Sequence, residues 1–164
     1  MKTLVVALII ATLLIPQSAV GKEKELPFSQ GRFRISGGGG TTFGGGGFGL
    51  GLGFGYFVLD GLEVGLDGDI WLGGETLMGS LAPQVRYLLP YLYPVIPYAG
   101  IFYRHIFIEK PWDDQDFFGG RVGLLMSFDH RFMIGAGIVL QYALKDYGED
   151  RFDIYPEIAF NFTF

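Results

Sequence analysis

Across residues 48–58 a large apolar side chain stands at every second position. Large apolar side chains stand at Phe48, Leu50, Leu52, Phe54, Tyr56 and Val58, with glycine between them at Gly49, Gly51, Gly53 and Gly55. A period of two is the period of a β-strand, whose successive side chains point to opposite faces. Wound as a helix, the same residues would spread their bulk round the whole circumference, and each glycine would cost about 1 kcal/mol. The stretch therefore predicts a strand with one apolar face and one nearly bare face.

The period recurs along the rest of the chain, now with polar residues on the second face. Residues 32–40 read Arg32, Phe33, Arg34, Ile35 and then dissolve into glycine, which predicts a strand ahead of the first, joined to it by a glycine-rich link at 41–47. Residues 62–72 set Leu62, Val64, Leu66, Ile70 and Leu72 against Glu63, Gly65, Asp67, Asp69 and Trp71. Residues 77–89 set Leu81, Pro83, Val85, Tyr87 and Leu89 against Ala82, Gln84 and Arg86. Residues 98–107 set Ala99, Ile101 and Tyr103 against Tyr98, Gly100, Phe102 and Arg104. The phase then slips at His105 and Ile106, which predicts a β-bulge. In residues 118–128, Val122, Leu124, Met126 and Phe128 oppose Gly119, Arg121, Gly123 and Ser127. In 132–142, Ile134, Ala136, Ile138 and Leu140 oppose Gly135, Gly137 and Gln141. In 152–164, Ile154, Ile158, Phe160, Phe162 and Phe164 oppose Tyr155, Glu157, Asn161 and Thr163.

This gives about eight strands of about ten residues, the length a tilted membrane strand needs. No stretch beyond the N-terminus is long and apolar enough for a membrane helix. A sheet that crosses hydrocarbon has to close on itself, because open edges are not tolerated there. The expected fold is all-β: an antiparallel up-and-down transmembrane β-barrel over residues 31–164. An even strand count leaves both ends of the barrel on one side. The turns at 59–61 (with the Asp60-Gly61 hairpin signal), 90–97 and 129–131 fall on that side. The glycine-rich link, the loop at 73–76 and the acidic loops at 109–116 and 143–151 fall on the other. Aromatic residues crowd the strand ends at Tyr87, Phe128, Phe132, Tyr142, Phe152 and Phe164, as interfacial girdles do.

Residues 1–21 have the form of a secretory signal peptide. Lys2 precedes an apolar run from Leu4 to Ile15, and Ala19-Val20-Gly21 offers small residues at a cleavage site before Lys22. The run is shorter than the roughly 20 residues of a spanning helix. Residues 22–30 then form a periplasmic lead-in. The chain has 164 residues and no cysteine, which excludes disulfides, thiol catalysis and a lipid-anchored N-terminal cysteine. Losing Lys2 from 12 basic residues leaves the 17 acidic ones in excess by six, a balance that argues against a nucleic-acid partner.

At the C-terminus the residues Glu157 to Phe164 resemble the assembly signal of outer-membrane barrels, which ends in phenylalanine with aromatic residues at the last and third-last positions. Those are Phe164 and Phe162, with Phe160 behind them. Ala159 stands where that signal carries glycine. The Pro83-x-x-x-Tyr87 and Pro97-Tyr98-Ala-Gly100 segments also resemble the small OmpA-like and OmpX-like barrels of Gram-negative bacteria. The resemblance implies residence in the outer membrane, delivery by periplasmic chaperones, insertion by the barrel assembly machinery and contact with membrane lipids and lipopolysaccharide. It implies no fixed activity.

A soluble lipocalin-like barrel has the same period with the faces exchanged. The apolar face here is almost free of charge, the other face carries Glu63, Asp67, Asp69, Arg86, Arg104, Arg121 and Glu157, and the chain ends on an aromatic strand without a polar tail. All three favour lipid outside. An eight-stranded interior is just wide enough to be filled by side chains. Glycine on the inner face then makes room for Trp71, Tyr98, Phe102, Tyr155 and the arginines. Buried charges have to pair. Glu63 is expected to meet Arg86, and Asp67, Asp69 and Glu157 to meet Arg104 and Arg121.

Candidate chemistry is thin. His105 lies near the outer rim with Ser80 and the Asp113, Asp114, Asp116 cluster at similar height, but alternation sends Ser80 inward and His105 outward. His130 belongs to the other end. The glycine spacing at 44–55 lacks the helix that a phosphate loop needs. The acidic runs Asp113, Asp114, Asp116 and Asp146, Glu149, Asp150 read as solvated loop charge. The sequence implies no cofactor, no metal site and no catalytic residue. It points to a side-chain-filled envelope barrel, with a narrow gated pore or a lipid A-modifying enzyme as the alternatives.

Overall fold

The computed structural model describes residues 26–41, 48–72, 78–89, 92–109, 113–145 and 151–164. The expected signal peptide, most of the glycine-rich link, Trp112 and the acidic run at 146–150 lie outside them. Eight strands follow in order: β1 Phe33–Thr41, β2 Phe48–Leu59, β3 Leu62–Leu72, β4 Met78–Leu88, β5 Val95–Ile108, β6 Gln115–Ser127, β7 Phe132–Ala143 and β8 Phe152–Thr163. Each pairs antiparallel with its predecessor, and β8 returns to β1, closing the barrel. Strands β5 and β6 start three residues earlier than the alternation suggested. There, Val95 opposite Met126 and Gln115 opposite Ile106 extend the ladder.

The faces fall as a membrane barrel requires. Leu50, Leu52, Phe54, Val64, Leu66, Ile101, Val122, Leu124, Ile138, Ile158 and Phe160 are exposed on the outer wall, while Arg34, Glu63, Arg86, Arg104 and Arg121 are buried. The soluble alternative is thereby excluded, since it would bury the first set and expose the second. Pro83, which cannot donate to a ladder, keeps its place opposite Leu66 on β3. The pairing of β4 with β5 lapses beside it, between Leu81–His105 and Gln84–Phe102.

The expected bulge at His105 is absent. The register of β5 runs through that point unshifted against both β4 and β6, because Asp116 lies directly opposite His105 and gives it a polar neighbour on the outer wall. A register shift occurs instead between Phe57 and Leu59, next to the β2–β3 turn. In that turn only Gly61 takes a positive φ, +76°. The extra residue, Val58, follows Phe57, which keeps the inward phase of Gly51, Gly53 and Gly55 and pairs in register with Glu63.

One end of the lumen is closed by apolar side chains. Phe28, which precedes β1, is fully buried against Phe57, Leu88, Ile96, Tyr98, Leu125 and Met133. Backbone hydrogen bonds hold it there: Gly61 N donates to Phe28 O at 2.9 Å, Gly31 N donates to Phe57 O at 2.9 Å and Phe57 N donates to Arg32 O at 3.0 Å. The side chain of Asp60 accepts from Gln30 N at 2.7 Å. The segment ahead of β1 is thus part of the barrel's core and acts as its stopper.

The β6–β7 turn is held by Asp129, whose Oδ1 accepts from Arg131 N at 2.7 Å and Phe132 N at 2.6 Å. These two amides favour the carboxylate and lower its pKa. The stabilisation they give is present above the ordinary aspartate pKa of about 3.9 and is lost as the pH falls through the lower folded value. Asp129→Ala is therefore expected to weaken the barrel at neutral pH, and by progressively less as the pH falls below the ordinary aspartate range. Unfolding measured across a descending pH series checks this.

Candidate functional site

Inward positions on six strands place four guanidiniums and five carboxylates along the lumen, the outermost being Asp153, which accepts from Gln141 Nε2 at 3.4 Å. Nearest the stopper, Glu63 is fully buried between two arginines. Arg34 Nε donates to its Oε1 at 2.8 Å, and Arg86 Nη2 donates to Oε2 at 2.9 Å. Asn161 Oδ1 accepts from Arg34 Nη1 at 3.2 Å. The next layer joins Arg121 Nη1 to Asp67 Oδ2 at 2.9 Å and to Glu157 Oε2 at 3.6 Å. The Tyr98 hydroxyl donates to Glu157 Oε1 at 2.6 Å. Higher still, Arg104 Nη2 lies 3.6 Å from Asp69 Oδ2, and its Nη1 donates to Gln141 Oε1 at 3.0 Å and to the Tyr155 hydroxyl. The guanidiniums of Arg104 and Arg121 each stand 5.0 Å from the Phe102 ring centre.

The structure thus sets Glu63 beside Arg86, Asp67 and Glu157 beside Arg121, and Asp69 beside Arg104. Sequence reasoning left Arg34 out of this set. Its signal was present, since Arg34 alternates with Phe33 and Ile35 as the other inward charges do with their apolar neighbours. It missed also the neutral members, Gln141, Asn161 and the Tyr98 hydroxyl. Phe160 and Phe162 lie exposed on the outer wall, and Phe164 N donates to Phe33 O at 2.9 Å, tying the chain's last residue to β1.

The bare face of β2 is the space these acids occupy. A Cβ on Gly55 would come within 2.6 Å of Glu63 Cδ, and those on Gly51 and Gly53 would strike the carboxylates of Asp69 and Asp67. On the other side of the barrel, a Cβ on Gly123 would lie 2.6 Å from the Tyr98 hydroxyl and one on Gly119 2.9 Å from Phe102 Cε1. Large and small residues interlock across the part of the lumen that these described residues line.

Because Arg121 serves two carboxylates, Arg121→Leu is expected to lower stability. The loss should fall below the roughly 3–5 kcal/mol of a fully buried broken pair, as Asp67 and Glu157 keep some exposure. A lower temperature for the heat-induced gel mobility shift is the readout.

Ser80 and His105 do not meet. Ser80 is buried and donates to Asp69 Oδ2 at 3.0 Å, whereas His105 lies on the outer wall with its Nδ1 2.7 Å from Asp116 Oδ1. Among the described residues no group of three or more His, Cys, Asp or Glu is placed to hold a metal ion.

The architecture is that of the small eight-stranded outer-membrane β-barrels. The chain is similar in fold to the N-terminal β-barrel domain of Pseudomonas aeruginosa OprF, with a TM-score of 0.67, 19% identity, and 82% of this chain and 98% of that one covered. It is also similar to Neisserial surface protein A, with a TM-score of 0.53, 15% identity, and 80% and 93% covered. The outer membrane protein OprG of Pseudomonas aeruginosa gives a TM-score of 0.53, 16% identity, and 85% and 99% covered. No family model matches the chain, and no curated protein is similar to it in sequence.

Proposed function

We propose that the chain is exported, inserted by the barrel assembly machinery after periplasmic chaperones deliver it, and resides as an integral barrel of the bacterial outer membrane. Its role is structural and interactive: it anchors loops at the surface, among lipids and lipopolysaccharide, and neither conducts nor catalyses. The observation that supports this most is the side-chain network crossing the described part of the lumen. Three ion-paired layers span it, and a fully buried Phe28 closes one end. The outer-membrane residence rests on the apolar outer wall, the terminal Phe160, Phe162 and Phe164, and the likeness in fold to outer-membrane barrels. Conductance of the purified protein in a planar bilayer tests the reading. Silence is expected, and stepwise openings would replace it with the gated pore.

A further inference from the structure

On the outer wall, ionisable side chains are costly wherever they meet acyl tails. Among the described strand residues only two Asp, Glu, Lys, Arg or His side chains point that way, His105 and Asp116, and they are directly paired across β5 and β6. They sit near the rim opposite Phe28. His105 Nδ1 meets Asp116 Oδ1 at 2.7 Å, and the Tyr103 hydroxyl donates to the same oxygen at 2.5 Å. The pair is flanked by opposite charges. On the β5 side, Asp114 Oδ2 lies 3.6 Å from His105 Nε2; on the β7 side, Lys145 Nζ lies 3.7 Å from Asp116 Oδ2. The two flanking groups are the open ones, with side chains 51% and 70% exposed, against 30% and 20% for the central pair.

We propose that this cluster seats the headgroup of a membrane lipid that carries both a phosphate and a primary ammonium. Lys145 receives the phosphate, and Asp114 receives the ammonium. The central His105–Asp116 pair keeps the two apart and holds Asp114 beside the His105 ring. Below the cluster, Ile101, Phe118 and Val122 offer an apolar wall to the acyl chains. A purely anionic headgroup fits less well, because two carboxylates face it. The inference rests on the membrane-barrel reading above.

The test inserts the protein into nanodiscs of equal phosphatidylethanolamine and phosphatidylglycerol, and native mass spectrometry counts the lipids that stay bound. Both lipids carry the phosphate, and only the first carries the ammonium. The expected result is a roughly fivefold preference for phosphatidylethanolamine, the scale of an exposed charge pair. Asp114→Asn should erase the preference, and Lys145→Gln should reduce retention of both lipids. Heat-modifiable gel mobility shows that each variant is folded. Equal retention by the unaltered protein, a preference for phosphatidylglycerol, or variants indistinguishable from it would overturn the site. Failure of the unaltered protein to insert at all would overturn the membrane reading as well.

Discussion

Glu63→Leu is expected to cost about 3–5 kcal/mol, the loss that follows when one partner of a buried ion pair is removed. Glu63 is completely buried and is the carboxylate shared by Arg34 and Arg86. Without it two buried guanidiniums face each other, Arg34 keeping only Asp67 at 3.6 Å and Asn161, and each loses a charge-assisted hydrogen bond. Replacing all three residues with apolar ones of similar size should recover much of the loss, because no buried charge then remains unpaired. Urea unfolding of the protein in lipid vesicles, followed by fluorescence, measures both. If Glu63→Leu unfolds with the midpoint of the unaltered barrel, the ion pairs do not hold the lumen together.

Phe28→Ala is expected to cost a comparable amount, about 3–5 kcal/mol, as for other phenylalanines removed from a packed interior. The side chain has no exposed surface and touches residues from several strands at the closed end. Phe28→Leu should retain most of the stability, since it keeps the site filled and apolar. The comparison separates packing from the backbone hydrogen bonds at Gly61 and Gly31, which both variants keep. An unfolding midpoint unchanged by Phe28→Ala would show that the barrel stands without its stopper.

The strands and their facing were open to sequence reading because period two over ten residues is hard to mistake, and because an apolar outer wall tolerates few charges. Parity tells which side chains point inward. It does not tell which carboxylate a given guanidinium reaches, because that depends on the stagger of strands around a closed barrel. Arg34 illustrates this: β1 lies next to β2, yet its guanidinium passes the bare Gly55 to reach Glu63 on β3. Phe28 was hidden for another reason. It lies outside any alternating run, so periodicity had nothing to say about its burial. The slip at His105 misled because an ionisable residue in the outward phase looks like a shift in register, whereas here a cross-strand partner accommodates it.

The closing seam is the least reinforced of the barrel. The β1–β8 ladder runs only from Arg34–Thr163 to Gly39–Ile158, and three of its β1 positions are glycines with no side chain to brace the joint. Phe33 and Phe164 meet at its lower edge. Tension applied through the two chain ends would therefore load this seam one rung at a time, like a zip drawn from its tab, rather than all rungs in shear. Under mechanical load the molecule should come apart along its own closure, with the longer ladders from β2 to β8 yielding afterwards.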